Sequence, residues 1–168
     1  MSLRPNPQKM EALLGAHQSG WSLNRLFYTD PAIFDLDIEK IFMRCWLCAG
    51  HSSRIPKPGD YFIFEIANES IILIPGEDGA IHALFNVCRH RGSRICTEGS
   101  GHTRKLICPY HQWVYGADRA LLSARLMPPE FALADFGLHR VQCRVSAGLT
   151  QHTPTWVFSA RQFTMPRN

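Results

Sequence analysis

The chain has 168 residues, 45% apolar and 19% charged, so it can bury a core and is too apolar to be disordered throughout. Its net charge is +4 and its basic residues are scattered, with no Lys/Arg run that would read as a nucleic-acid stripe. No apolar run approaches the roughly eighteen residues that cross a bilayer, and "MSLRPNPQKMEALLGAHQ" has polar residues and prolines where a signal peptide needs an apolar segment.

A cytoplasmic chain is therefore expected, whose six Cys serve as metal ligands or core residues rather than as a disulfide framework. Residues 8–18, "QKMEALLGAHQ", predict a short helix with Met10, Leu13, Leu14 and His17 on one face. A stronger helix signal follows at "YTDPAIFDLDIEKIFMRCW". Thr29 or Asp30 caps it, Pro31 suits the first turn, acids come early, and Lys40 and Arg44 come late. Ile33, Phe34, Ile38, Ile41 and Phe42 form its apolar stripe.

After Gly50 the pattern turns to β. "YFIFEI", "IILIP" and "AIHALFNVC", separated by "ANES" and "GEDG", read as an antiparallel meander. Strand patterns resume at "RKLIC", "QWVYG" and "HRVQCRV", with Gly92, Gly99, Gly101 and Gly116 in the loops between. No internal repeat or low-complexity segment stands out. The expectation is an all-β domain over residues 45–148 with a helical N-terminal extension over 1–44.

The chemistry lies in two boxes. Cys88-x-His90 is followed by seventeen residues and then Cys108-x-x-His111, a two-plus-two ligand set. Strand-sized segments lead into each pair, which suits two loop tips at one end of a β-sandwich. A tetrahedral zinc accepts two Cys and two His, but zinc fingers pair Cys with Cys and His with His along the chain. A Rieske-type [2Fe–2S] cluster takes the mixture: two thiolates on one iron and two imidazoles on the other, each loop supplying one of each. Gly92 and Pro109 let the backbone pass close to an inorganic sulfide, so that amide N–H groups point at it and tune the potential. The cluster is the favoured occupant, and a zinc-binding interaction module is the non-redox alternative.

"CRHRG" and "CPYHQWVY" at this spacing resemble the Rieske domain of the α subunits of Rieske non-haem iron oxygenases, the aromatic-ring-hydroxylating oxygenase family. The family's second box usually has Gly where Gln112 stands. "FYTDPAIFDLDIEKIFMRCWLCAGHSSRIPKPGDYF" also looks like the family's N-terminal region, so the likeness covers about residues 25–148. Within the family the look is closest to the branch acting on choline, betaines and carnitine.

The resemblance implies a Rieske-type β-sandwich and a cluster held by Cys88, His90, Cys108 and His111. It also implies a reductase or ferredoxin as electron donor, a homo-oligomer (a trimer in intact members), and mono- or dioxygenation of a small organic substrate. High-potential Rieske proteins carry an extra loop disulfide. Ser93 and Tyr110 leave no such pair here, which implies the lower-potential kind, and Cys96 reads as packing.

Other candidates read blandly. Cys45-x-x-Cys48, followed by His51, imitates a redox dithiol or a zinc half-site, but a helix ends there and a strand begins, the reverse of a thioredoxin-like order. Two small apolar residues at a junction are expected instead. Cys143 reads as strand filler, and His17, His82, His102, His139 and His152 as structural or solvated. Arg89, Arg91 and Arg94 read first as a solvated loop and second as an electropositive collar that docks an acidic donor. Trp113 is expected to shield the cluster from water.

A complete family α subunit carries a second domain, in which two His and a carboxylate bind a mononuclear Fe(II). No two His here have the family's spacing of four or five positions, so that iron is expected only in a domain this chain lacks. The tail, residues 149–168, "TQHTPTWVFSARQFTMPRN" onward from Leu149, is polar, broken by Pro and without a continuing strand pattern. A frameshift or truncation near Leu149 is the expectation it raises. The chain is thus expected to carry electrons without performing oxygenation itself. A stand-alone ferredoxin-type carrier is the second alternative.

Overall fold

The computed structural model describes residues 6–147 and 154–159. They form two compact units, divided between Cys45 and Trp46.

The N-terminal unit is helical. In α1 (Pro7–Gly15) the Asn6 side chain accepts from the Gln8 N–H at 3.0 Å and Pro7 occupies the first turn, where its missing N–H costs nothing. A short α2 (Leu26–Thr29) precedes α3 (Pro31–Asp37). Pro31 holds Asp30 extended, at φ −83° and ψ 117°, which separates the two helices. Asp30 then caps α3 by accepting from the Ala32 N–H at 2.9 Å. Its other carboxylate oxygen meets Lys9 Nζ at 2.6 Å and ties α3 to α1. The helix predicted onward to Trp46 ends sooner: Ile38–Phe42 is a single π turn, closed by Met43 N–H on the Ile38 carbonyl at 2.9 Å.

The second unit is antiparallel β. The predicted meander is present as β2 (Asp60–Ile66), β3 (Glu69–Pro75) and β4 (Ile81–Phe85), preceded by β1 (Trp46–His51). β5 (Ser100–His102), β6 (Leu106–Ile107), β7 (Val114–Tyr115), β8 (Leu121–Ser123), β9 (Arg140–Ala147) and β10 (Pro154–Ser159) follow. One sheet has the order β1-β10-β9-β4-β3-β2-β5, the other β6-β7-β8. Ile63 pairs with Ile72, and Ile72 with Leu84. On one face of β3, Ile72 and Ile74 join Leu106 and Tyr115 of the second sheet, and Trp113 just before β7, in a shared core. Ile71 and Leu73 on its other face are equally buried, which is why "IILI" is apolar without alternation. The all-β expectation with a helical extension holds.

Within the tail, the expectation of no strand does not hold. The backbone of Pro154–Ser159 pairs with β9 (Val157 opposite Arg144) and with β1 (Trp156 opposite Gly50). Thr, Trp, Val and Phe are β-favouring residue types, and Pro is tolerated as the first residue of a strand. β5 and β8 also went without a pattern signal, since three residues are too few for alternation to register. Among the described residues no helix is long and apolar enough to cross a membrane.

Candidate metal centre

Two loops, after β4 and between β6 and β7, bring the predicted ligands together. Each starts at its cysteine and is closed by the same pair of bonds. In the first, Cys88 N–H donates to the Ser93 carbonyl at 2.8 Å and Gly92 N–H to the Cys88 carbonyl at 2.9 Å. In the second, Cys108 N–H donates to the Trp113 carbonyl at 2.9 Å and Gln112 N–H to the Cys108 carbonyl at 3.0 Å. The fourth residue after each cysteine is left-handed: Gly92 at φ +72° and Gln112 at φ +57°. Gln112 therefore occupies a position whose backbone favours glycine. Its side chain accepts from Arg125 Nη1 at 2.6 Å, so the loop keeps its shape.

Cys88 and Cys108 are each 2% exposed and belong to the same buried cluster of side chains. His90 and His111 meet edge to face with ring centroids 4.6 Å apart. Trp113 stacks on His90 at 4.8 Å and is backed by Phe131 and Phe136 at 5.5 and 5.9 Å. Trp113 is itself buried, on the side of His90. Tyr110, by contrast, is exposed beside His111.

Five buried side-chain polar atoms among the described residues lack a partner, and four belong here: Nδ1 of His90, Nδ1 of His111, Nε1 of Trp113 and Nε of Arg89. A buried polar atom is normally bonded, so a cluster of orphans marks the place of a missing partner. Both imidazoles offer the same free atom, Nδ1. Burial, then His111 and Arg91, lower the pKa of His90 and favour the neutral ring that a metal needs. Burial raises the Cys88 thiol, so its ionisation in place calls for a cation.

The donor set also discriminates between occupants. No three His, Cys, Asp or Glu among the described residues converge as they would around one metal ion. Two thiols and two imidazoles forming separate pairs suit two irons and not a single tetrahedral zinc.

Several neighbours had no sequence signal. Tyr115 Oη accepts from the Arg89 N–H at 3.1 Å and lies 3.2 Å from Cys88 Sγ. Either the thiol or the hydroxyl can donate in that contact, and only the hydroxyl can once the sulfur is a thiolate. His139, expected to be structural or solvated, is structural: it accepts from the Arg89 guanidinium. Arg91 and Arg94 of the predicted collar are both exposed, Arg94 paired with Glu65 at 2.8 Å. Asn86 is wholly buried and ties Ile95 and Cys96 to the end of β4.

The remaining candidates stay apart from the site. Cys45 and Cys48 lie at the expected junction of helical turn and strand and are exposed: β1 turns Cys48 outward and Cys45 precedes the strand. His51 bonds Ser53, His82 bonds Asp78 and His102 bonds Asp60. Cys96 is buried as expected, Cys143 is half-buried, and His152 lies outside the described residues.

Residues 45–137 match the family model of the Rieske [2Fe-2S] domain, and the chain belongs to that family. A domain of this family transfers electrons through a [2Fe–2S] cluster. The chain is similar to the glycine betaine monooxygenase oxygenase subunit of Chromohalobacter salexigens, 42% identical over 81% of this chain and 31% of the relative. The carnitine monooxygenase oxygenase subunit of Escherichia coli is 39% identical over 64% of this chain and 29% of its own length.

Among solved structures, a quaternary ammonium Rieske monooxygenase in complex with L-carnitine superposes with a TM-score of 0.73, at 28% identity over 87% of this chain and 40% of that one. Naphthalene 1,2-dioxygenase from Rhodococcus reaches 0.78, at 26% identity over 94% of this chain and 36% of that one. These similarities set the domain among the Rieske domains of oxygenase α subunits. The chain spans about a third of the length of the curated relatives it matches.

Proposed function

We propose that Cys88 and Cys108 hold one iron of the [2Fe–2S] cluster and that His90 and His111 hold the other through Nδ1. The observation that carries this is the pair of unpartnered Nδ1 atoms together with two thiols buried in one cluster. The cluster supplies a one-electron redox couple. The protein's part is to orient the imidazoles against Trp113, exclude water and keep the Tyr115 proton directed at Cys88 Sγ.

The domain then passes single electrons to a mononuclear Fe(II) in an oxygenase catalytic domain, which oxidises a small quaternary ammonium compound. The betaine and carnitine monooxygenase relatives support that substrate class. Exposed Arg91 suits an acidic reductase or ferredoxin as donor, with further copies of the subunit as the other partners. The six free thiols suit the cytoplasm.

Metal and sulfide analysis of the purified chain is the test. About two irons and two acid-labile sulfides per chain are expected, with loss of both in Cys88→Ser, His90→Ala, Cys108→Ser and His111→Ala. A colourless chain with one zinc would sink the assignment.

A further inference from the structure

Two polar side chains, Ser70 and Asn86, are the buried polar residues among those described, and they bond to each other at 3.1 Å. Asn86 follows β4 and stands two residues before Cys88. Its amide nitrogen donates to Ser70 Oγ and, at 2.7 Å, to the Cys96 carbonyl. Its amide oxygen accepts from the N–H groups of Ile95 at 3.0 Å and Cys96 at 2.8 Å. Two donors and two lone pairs are all that a side-chain amide possesses, so every one is used.

Three of these four bonds reach the far end of the loop that carries Cys88 and His90. That segment has no strand ladder of its own between β4 and β5. Asn86 thus joins the loop's two ends, and an apolar side chain in its place would strand three buried backbone groups. Opening the loop to water would relieve them at the expense of the ligand spacing.

We infer that Asn86 is a positioning residue for the [2Fe–2S] cluster, clasping the first ligand loop shut so that Cys88 and His90 keep their spacing. The inference rests on the ligand assignment proposed above.

The test compares the full chain with Asn86→Leu, Asn86→Asp and Ser70→Ala. The readouts are the electron paramagnetic resonance of the reduced cluster and the rate of iron loss to a chelator. Asn86→Leu is expected to release iron about 10–100-fold faster, the range for partners that orient metal ligands, with shifted g values. Asn86→Asp keeps both acceptor bonds and falls between. Ser70→Ala removes the bond that lies outside the loop and leaves both readouts unchanged.

In the unsubstituted chain, the Ile95 and Cys96 amides are expected to exchange hydrogen as slowly as those of β3. Free exchange there would overturn the inference even if Asn86→Leu fails to fold. So would an Asn86→Leu chain with unaltered g values and release, or a Ser70→Ala chain altered as much as Asn86→Leu. An unsubstituted chain without iron and sulfide would refute the ligand assignment instead, with the exchange measurement still deciding the clasp.

Discussion

At the scale of single residues, the atoms beside the proposed ligands matter most. Burial keeps the Tyr115 hydroxyl far above its ordinary pKa, so it stays protonated and can donate to Cys88 Sγ once that sulfur is a thiolate. A hydrogen bond to a cluster thiolate favours the reduced, more negative form. Removing one worth about 1 kcal/mol corresponds to about 40 mV for a one-electron couple. Tyr115→Phe is therefore expected to lower the midpoint potential by about that amount in a spectroelectrochemical titration; an unchanged or higher potential would refute the donor role. Arg89 is held from both ends, its N–H on Tyr115 and its guanidinium on His139. It buttresses the loop, while Arg91 and Arg94 stay exposed.

At the scale of elements, the domain uses its turns twice. The two ligand loops share their closing bonds, and two hairpins share theirs. Gly76 N–H donates to the Ala80 carbonyl at 2.8 Å and Gly116 N–H to the Ala120 carbonyl at 2.9 Å, while Asp78 and Asp118 accept from the following alanines. In each kind, one copy puts glycine at the left-handed position and the other does not: Gly92 against Gln112, Gly79 against Arg119. The non-glycine copies carry strain of about 1 kcal/mol, and a β-branched residue tolerates that region worst. Gln112→Val is expected to cost about 2 kcal/mol in urea unfolding of the full chain. A midpoint equal to that of the unsubstituted chain would show that the loop relaxes into another shape.

At the scale of the whole molecule, stability should have a plateau with an edge on each side. His139 is lowered from 6.5, chiefly by burial and then by Arg89 and Arg119, so folding opposes its protonation. Its share is complete above 6.5 and is lost as pH falls below. Asp30, Asp60 and Asp78 sit below 3.8, held there first by Lys9, His102 and the Ala80 N–H respectively. Their share is present above 3.8 and goes as pH falls through their lowered values. Glu69, raised from 4.5 by burial, acts in the opposite sense over a narrow window. On the alkaline side, burial pushes Cys96 and Cys143 from 9.0 to about 11, so the unfolded chain ionises first and stability falls over that interval. Thermal midpoints across pH should thus hold level between about 6.5 and 9; a maximum outside that range would contradict these shifts.

Much of this was legible in the sequence because it is local. The apolar runs that become β2, β3 and β4 form strands by alternation or sustained burial, and the two Cys/His boxes lie within loop-length segments that need no distant residue to be recognised. Asp30 announces α3 by its capping chemistry beside a proline. What the tertiary structure alone decided is non-local. Asn86 looks like one polar residue closing an apolar strand, and its role depends on Ser70, sixteen positions before it, and Cys96, ten after. Tyr115 reaches Cys88 across twenty-seven positions, and His139 reaches Arg89 across fifty. Pro154–Ser159 becomes a strand because β1 and β9 both present unpaired edges to it, a template no residue of that segment encodes. Ligand identity is a property of short segments, whereas the partners that set a ligand's geometry are chosen by where the folded chain brings distant hydrogen-bonding groups out of water.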